Sequence, residues 1–177
     1  WAGPEIAVAT TKAYSTQMAV IDLLGLWFAR VLGTVEQEEY HKVLEEMLLL
    51  PGKMEAILSH RDNIQYLASQ YFNHNSVFFI GRNVDYALGL EGSLKLKEIS
   101  YIHSEAYAAG ELKHGTISLI EDGTLVVALA TYSKLFEKAM NNVVEVKSRG
   151  ADVLALAVSS HEAEMAKTAD AVMTIPD

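Results

Sequence analysis

Two kinds of apolar pattern divide the chain into a helical amino-terminal part and a carboxyl-terminal part of alternating strands and helices. Up to about residue 75, apolar residues recur at the three- and four-residue spacing of helices. From residue 76 onward, short continuous apolar runs alternate with longer helical patterns. Continuous apolar strands are typical of a parallel sheet covered on both faces. The pattern predicts an α/β fold with a doubly wound, mostly parallel sheet preceded by helices.

The first predicted helix starts at Thr10 or Thr11, either of which can cap it, and ends at Gly33. Its apolar run, residues 18–33, is interrupted by charges and is shorter than the ~20 residues that span a bilayer. We therefore predict a buried helix and no membrane span.

A second, amphipathic helix is predicted over residues 36–50, with an acidic first turn and with Pro51 and Gly52 closing it. A third helical stretch follows and leads to the polar residues 73–75. Together these segments predict a connecting region between two parts of the chain.

The sheet part combines predicted strands at residues 76–81, 125–130, 153–158 and 171–175 with helices at 84–102, 135–149 and just after 161. Ligands of such sheets bind at the carboxyl ends of strands, so residues 81–83 and 131–133 face the expected site. The strands that end at residues 81 and 130 are not followed by a glycine- and hydroxyl-rich run, so no phosphate-binding loop is evident in this part.

Composition narrows the possible functions. The chain has 177 residues, half of them apolar, which is enough for a substantial core. A net charge of −9 argues against binding to nucleic acid. The absence of cysteine excludes disulfides and thiolate chemistry and favours a cytoplasmic location. Because the chain lacks an initiator methionine and stops just after a strand-like run, we expect it to be a piece of a longer polypeptide.

The predicted helix at residues 84–102 carries three ionisable residues on one face. Glu91, Lys95 and Glu98 are spaced by four and three residues and have apolar residues on either side. Small residues occupy the opposite side, and only Asp85 and Lys97 are expected to meet water. The pattern predicts charges held in a partly dry, apolar environment, where desolvation and pairing compete in setting pKa values.

Two interpretations of these charges remain open. Glu91 and Lys95 can form an internal ion pair that ties the helix to its neighbours. That pair would leave Glu98 without a partner, and a spare carboxylate in such a pocket is suited to moving a proton at neutral pH.

A second feature is the histidine of the segment 104–115, where Gly110 and Gly115 on either side of ELKH break any long helix. His114 can exchange a proton near pH 7, or it can be an ordinary solvent-exposed loop histidine. The remaining histidines show no spacing typical of a metal site; these are His41, His60, His74, His103 and His161. No metal or cofactor is expected.

Two long motifs resemble a known family. Residues 90–115 (LEGSLKLKEISYIHSEAYAAGELKHG) closely resemble the second sugar-isomerase (SIS) lobe, of flavodoxin-like fold, in glutamine:fructose-6-phosphate aminotransferases. Residues 3–17 (GPEIAVATTKAYSTQ) resemble the end of the first lobe. The resemblance implies a three-part layout: residues 1–35 end the first lobe, 36–75 connect, and 76–177 form the second lobe, truncated at its carboxyl end.

The resemblance also implies an activity, in which glutamine-derived ammonia is added to fructose 6-phosphate and the product is isomerised to glucosamine 6-phosphate. Glu98 matches the base that shuttles a proton between C1 and C2, and His114 matches the group that opens the sugar ring. Lys95 lies beside the base. The positions near the sugar are Glu91, Val8 and Thr10, the last often serine in the family.

Partners follow from the same resemblance. The family's ring-opening histidine comes from the neighbouring subunit, which implies a homodimer, and a separate glutaminase domain supplies the ammonia. That domain, the first lobe's phosphate-binding loop and the tail lysine that forms a Schiff base are not in this sequence, so we expect the 177 residues to be inactive alone.

Two alternatives remain. One is a deglycase or sugar-phosphate isomerase of the same fold without a glutaminase domain. The other is a non-catalytic module that binds sugar phosphates, which an upstream DNA-binding domain would favour.

Overall fold

A computed structural model describes residues 2–177, and the chain forms two compact units, Trp1–Leu58 and Ser59–Asp177. The first unit contains helix α1 (Thr11–Leu32) and nearly all of α2 (Gln37–Ser59). Gly33 ends α1 as predicted: it adopts the left-handed conformation (φ 66°), and its N–H donates to the carbonyls of Ala29 and Arg30.

The predicted side-chain cap of α1 is wrong. Thr10 stands at the cap position but has left-handed backbone angles (φ 54°, ψ 37°) in place of the extended conformation of a capping residue. Its hydroxyl therefore turns away from the helix and donates to the carbonyl of Val8 at 2.7 Å.

The prediction that α1 is a buried helix is also wrong, because none of its residues is buried. A helix face is buried only where another element covers it, and in the first unit large apolar side chains of α1 stay exposed. By length and composition α1 is able to cross a membrane, a test that core helices of soluble proteins also pass. The exposed residues include Val20, Ile21, Leu24, Trp27, Phe28, Val31 and Leu32.

Helix α2 does not stop at Pro51 but continues through it to Ser59. Proline removes one helical hydrogen bond and costs about 3 kcal/mol in a helix interior. Helix-forming residues on both sides, LEEMLLL before it and KMEAIL after it, let the helix propagate past this defect.

The second unit is the predicted α/β fold. Helix α3 (Arg61–Tyr71) leads into an all-parallel sheet of five strands in the order β2-β1-β3-β4-β5. The strands are β1 (Ser76–Gly81), β2 (His103–Ala108), β3 (Leu125–Ala130), β4 (Asp152–Val158) and β5 (Ala171–Ile175), and the helices between them are α4 (Val84–Ser100), α5 (Phe136–Lys147) and α6 (Glu162–Met165).

Four of the five strands lie within one residue of their predicted bounds, whereas β2 falls in a segment that the sequence pattern assigns to a loop. Its sequence, HSEAYA, alternates polar and apolar residues because it is an edge strand with a partly exposed face. It therefore lacks the continuous apolar run that identifies the other four strands.

The strand order decides where a site can form. Right-handed crossovers carry the chain from β1 to β2 in one direction and from β3 to β4 in the other, so α4 and α5 cover opposite faces. The order reverses between β1 and β3, and the carboxyl ends of these two strands border the crevice in which ligands of such sheets bind. The core beneath them is closely packed, with Leu112, Val126, Val146, Val153 and Met165 fully buried.

Candidate active site on α4 and the loop after β2

Helix α4 packs on the sheet through its small residues, as predicted. A Cβ on Gly89 would lie 3.6 Å from atoms of Phe79 and Leu129, an ordinary packing distance. Further along, the buried hydroxyls of Ser93 and Ser104 are 2.9 Å apart, and Ser104 also donates to the Ser93 carbonyl. Small side chains let the helix backbone approach β1 and β2 closely and set the position of everything on its outer face.

The outer face is more open than predicted. The apolar side chains that flank the three charges are exposed, from 40% for Leu88 to 65% for Ile99. Because the small side of α4 makes the sheet contact, the apolar side faces away from the core. Among the residues that the structure describes, these apolar side chains therefore form an open surface and not an enclosed pocket, while the three charged side chains stay partly shielded from water.

The three charged residues on that face form one cluster. Lys95 Nζ lies 2.9 Å from Glu98 Oε2 and 3.4 Å from Glu91 Oε1. The three side chains are 20%, 30% and 22% exposed respectively. The prediction that Glu98 lacks a partner is thus wrong: helical spacing puts both carboxylates within reach of the same ammonium, and Glu98 is the closer one.

The pairing favours the charged form of Lys95. The hydrogen bond to Glu98 raises the pKa of Lys95; partial desolvation acts against it, and the hydrogen bond to Glu91 adds to the increase. A lysine is ordinarily charged at neutral pH, and this shift reinforces that state, so the side chain acts as an electrostatic partner and not as an amine nucleophile.

Glu98 keeps one carboxylate oxygen available. Lys95 is bonded to Oε2, while Oε1 has no hydrogen-bond partner among residues 2–177. A carboxylate held at one oxygen and open at the other can accept a proton from a substrate placed against the outer face of α4.

His114 lies on a different element, a short 3₁₀ turn at Leu112–His114 in the loop after β2. Leu112 is completely buried and fixes the turn to the core, whereas His114 is exposed. Its imidazole makes no hydrogen bond or ion pair with the described part of the chain. The structure therefore brings Glu91, Lys95 and Glu98 together but does not bring His114 into contact with them.

An arginine that the sequence pattern does not single out lies against the start of this loop. Arg82, just after β1, donates from Nε to Asn142 Oδ1 at 2.9 Å, and the buried Asn142 donates to Glu145. The guanidinium lies so close to Gly110 that a Cβ there would be 3.1 Å from its terminal nitrogens. A larger residue at the start of GELKHG would therefore have to push the guanidinium aside by a few tenths of an ångström, a contact that the sequence alone does not reveal.

Asp85 departs most from expectation. The sequence pattern predicts that it meets water, yet it is 3% exposed and accepts hydrogen bonds from the end of β3. Thr131 N–H and Tyr132 N–H donate to Oδ2 at 3.0 and 3.1 Å, and the Thr131 hydroxyl donates to Oδ1 at 2.5 Å. An aspartate in a first helical turn directly after a strand is the available signal, because its carboxylate can reach the neighbouring strand end.

The predicted sugar-contacting residues of the first unit lie next to each other. Thr10 donates its hydroxyl to Val8, and both residues are in the irregular segment before α1. A β-branched residue with positive φ is uncommon and strained, and such residues cluster at functional sites. The Val8 carbonyl is therefore held in a defined position.

A separate depression lies in the second unit. This depression, of about 460 Å³, lies at the amino ends of the strands, lined by residues that include His74, His103 and Asp122. None of the three charged residues of the α4 cluster lines this depression. Among residues 2–177 no group of three or more His, Asp or Glu side chains is placed to hold a metal ion.

Comparisons with known proteins agree with this architecture. The chain is 50% identical over its whole length to a glutamine–fructose-6-phosphate aminotransferase (isomerizing) of Clostridium acetobutylicum and 51% identical to that of Caldanaerobacter subterraneus. It covers 29% of each of these relatives. The structure is similar to the C-terminal domain of glucosamine-fructose-6-phosphate aminotransferase from Francisella tularensis, with a TM-score of 0.93 and 31% identity, covering 98% of this chain and 49% of that one.

The family model for the SIS domain matches residues 70–177, which include the entire sheet, α4 and the His114 loop. This match covers more than half of the chain and agrees with the parallel five-stranded sheet. The chain therefore belongs to the SIS domain family.

Proposed function

We propose that the chain is part of the isomerase region of a glutamine:fructose-6-phosphate aminotransferase, which converts fructose 6-phosphate and glutamine-derived ammonia into glucosamine 6-phosphate. The observation that carries the proposal is the cluster on α4, in which Lys95 holds Glu98 by one oxygen and leaves the other open. Identity of about half over the whole chain supports it. The activity belongs to a longer protein that contains this chain, since the chain spans 29% of the length of its relatives. We expect the 177 residues alone to be inactive.

Glu98 moves the proton. Once ammonia has formed a protonated imine at C2, a base removes a proton from C1 to give an enaminol, and return of a proton to C2 with loss of the C1 hydroxyl proton gives the aldehyde of glucosamine 6-phosphate. Because C1 and C2 are adjacent, one carboxylate can serve both carbons from one position. Glu98 Oε1 accepts and returns the proton, while the Lys95 ammonium keeps the carboxylate in place and Glu91 holds the ammonium from its other side.

His114 opens the ring. Opening requires removal of a proton from the anomeric hydroxyl and delivery of a proton to the ring oxygen, and imidazole can do both near neutral pH. Its exposure on an anchored turn suits a residue that reaches a sugar bound by a neighbouring subunit.

The exposed apolar residues around the α4 cluster support a homodimer, because a surface of this kind is normally covered by a partner. In the assembled enzyme, Val8 and Thr10 contact the sugar, residues 1–35 end a first lobe, and residues 36–75 connect it to the second lobe. A glutaminase domain elsewhere in the longer chain supplies ammonia, and the enzyme is cytoplasmic.

The test is Glu98→Gln in a full-length protein that contains these residues. Glutamine keeps the shape and the hydrogen bond from Lys95 but is not a base, so synthesis of glucosamine 6-phosphate is expected to fall about 100-fold or more. Glutamine hydrolysis, which occurs elsewhere, is expected to stay near the wild-type rate. Normal synthesis of glucosamine 6-phosphate by the variant would refute the assignment of Glu98.

The matched control is Lys97→Gln, which changes an exposed charge on the same helix but outside the cluster. Both activities of this variant are expected to remain at wild-type level. A full-length protein that makes no glucosamine 6-phosphate but isomerises or deglycates sugar phosphates would contradict the aminotransferase and leave the fold assignment intact.

A further inference from the structure

The end of β3 presents three hydrogen-bond donors to a single carboxylate. The backbone N–H groups of Thr131 and Tyr132 and the hydroxyl of Thr131 all point to Asp85. The aspartate is 3% exposed, so this contact lies inside the protein. Two consecutive amides and a hydroxyl directed at one point form the type of donor set that binds an oxyanion.

The position of this donor set is significant. It lies at the carboxyl end of β3, beside the carboxyl end of β1, where the strand order reverses. This is the crevice in which doubly wound sheets bind their ligands, commonly with an anionic group near the amino end of the following helix. Here the crevice contains a carboxylate supplied by the first turn of α4.

We propose that Asp85 is a built-in anion: its carboxylate occupies the ligand crevice of this sheet, closes the crevice to phosphate and other external anions, and positions α4. Occupation of the crevice by Asp85 does not depend on the sugar chemistry proposed above. Asp85 is thus a positioning residue, and its carboxylate explains why no phosphate-binding loop is needed at the end of either central strand.

Helix geometry connects Asp85 to the charged cluster on α4. Asp85 fixes the first turn of α4 to β3, and Glu91 and Glu98 follow on the same rigid helix about 9 and 20 Å further along, at 1.5 Å per residue. A rotation or shift of the first turn would therefore move both carboxylates. The ion pairs with Lys95 bind the cluster together but do not fix it to the sheet.

The test replaces the internal anion by an external one. Asp85→Ala removes the carboxylate and leaves the three donors unpaired, which is expected to lower the melting temperature by roughly 10 °C. Formate is small enough to enter the vacated space and accept the same hydrogen bonds. Its addition is expected to raise the melting temperature saturably, compared with chloride at equal ionic strength.

Two controls separate a specific anion site from general salt effects. Asp85→Asn fills the same space without the charge, so its melting temperature should be the same in formate as in chloride. The melting temperature of the wild type should likewise not differ between the two salts. Amide resonances of Thr131 and Tyr132 in the wild type should not respond to inorganic phosphate, because Asp85 occupies the crevice.

Three results would overturn the proposal. The first is an Asp85→Ala protein that responds to formate no more than the wild type does, and the second is an equal response from Asp85→Asn. The third is a saturable phosphate shift of the wild-type Thr131 and Tyr132 amides. If Asp85→Ala does not fold in chloride, its refolding yields in formate and chloride replace the melting temperatures, and equal yields count against the proposal.

Discussion

Replacing Gly81 with alanine is expected to distort the scaffold of the candidate site without replacing any charged residue. Gly81 ends β1, and a Cβ at this position would lie 2.5 Å from the backbone carbon of Asp85, 2.6 Å from its oxygen and 2.7 Å from the nitrogen of Tyr86. Ordinary contacts between such atoms are about 3.5–4.0 Å, so the first turn of α4 would have to move by roughly 1 Å. Backbone atoms cannot rotate away as a side chain can.

The cost can be bounded from these distances. Overpacking costs about 1–3 kcal/mol, and a shift of α4 would also weaken the charge-assisted hydrogen bonds that hold Asp85 to β3. We expect Gly81→Ala to destabilise the second unit by about 3 kcal/mol or more. Because 1.4 kcal/mol is a factor of ten, exchange protection in β1 and β3 should fall about 100-fold.

Two other glycines provide matched comparisons on the same scaffold. A Cβ on Gly89 meets its neighbours at 3.6 Å or more, so Gly89→Ala should be neutral or stabilising by up to about 1 kcal/mol through helix propensity. Gly92 is intermediate, since its nearest neighbour, at 3.0 Å, is the movable ring of Phe79. We therefore predict that Gly89→Ala is the most stable of the three variants, Gly92→Ala is intermediate and Gly81→Ala is the least stable.

The assay has to report on the second unit. Both tryptophans, at positions 1 and 27, belong to the first unit, so tryptophan fluorescence would not detect the effect. Hydrogen exchange measured on peptides from β1 and β3 reports directly on the stability of the second unit. Equal protection in Gly81→Ala and Gly89→Ala would refute the reasoning.

Two further predictions concern stability and assembly. Lys147 Nζ and Val153 N–H bind Asp170; burial acts to raise the pKa of Asp170, but these hydrogen bonds outweigh it and place that pKa below its ordinary value. Asp170 therefore stabilises the fold above about pH 4, by about 1 kcal/mol for this partly exposed pair, and the contribution is lost as pH falls through the lowered pKa. The stability difference between wild type and Asp170→Asn should shrink from pH 7 to pH 3 in denaturant titrations, and a constant or growing difference would contradict this. Separately, mixing full-length Glu98→Gln and His114→Ala subunits should restore part of the synthase activity if subunits share sites, whereas no recovery at any ratio would exclude sharing.

Local pattern is sufficient to predict the fold class and most elements. Four strands have continuous apolar sequences, and helical spacing alone places Glu91, Lys95 and Glu98 on one face, where the structure has them. These features depend only on periodicity along the chain. The edge strand β2 and the passage of α2 through Pro51 do not follow from local pattern, because their local signals are those of a loop and a helix end.

Burial is harder to predict, because it depends on which surfaces meet. The α4 pattern has an apolar side and a small side, and either one can face a sheet. The structure places the small side against the strands, which exposes Leu88 and Ile99 and buries Asp85. The approach of Arg82 to Gly110 and its hydrogen bond to Asn142 likewise join residues from different elements, so no spacing in the sequence encodes them.

The central claim, that Glu98 carries the proton between C1 and C2, is tested most directly by running the full-length reaction in D₂O. A carboxylate that exchanges its proton with solvent before returning it would place deuterium at C2 of glucosamine 6-phosphate, detectable by mass spectrometry and NMR. We predict C2-deuterated product from wild type and from Lys97→Gln, and essentially no product from Glu98→Gln while glutamine is still hydrolysed. Formation of C2-deuterated glucosamine 6-phosphate by Glu98→Gln at the wild-type rate would contradict the claim.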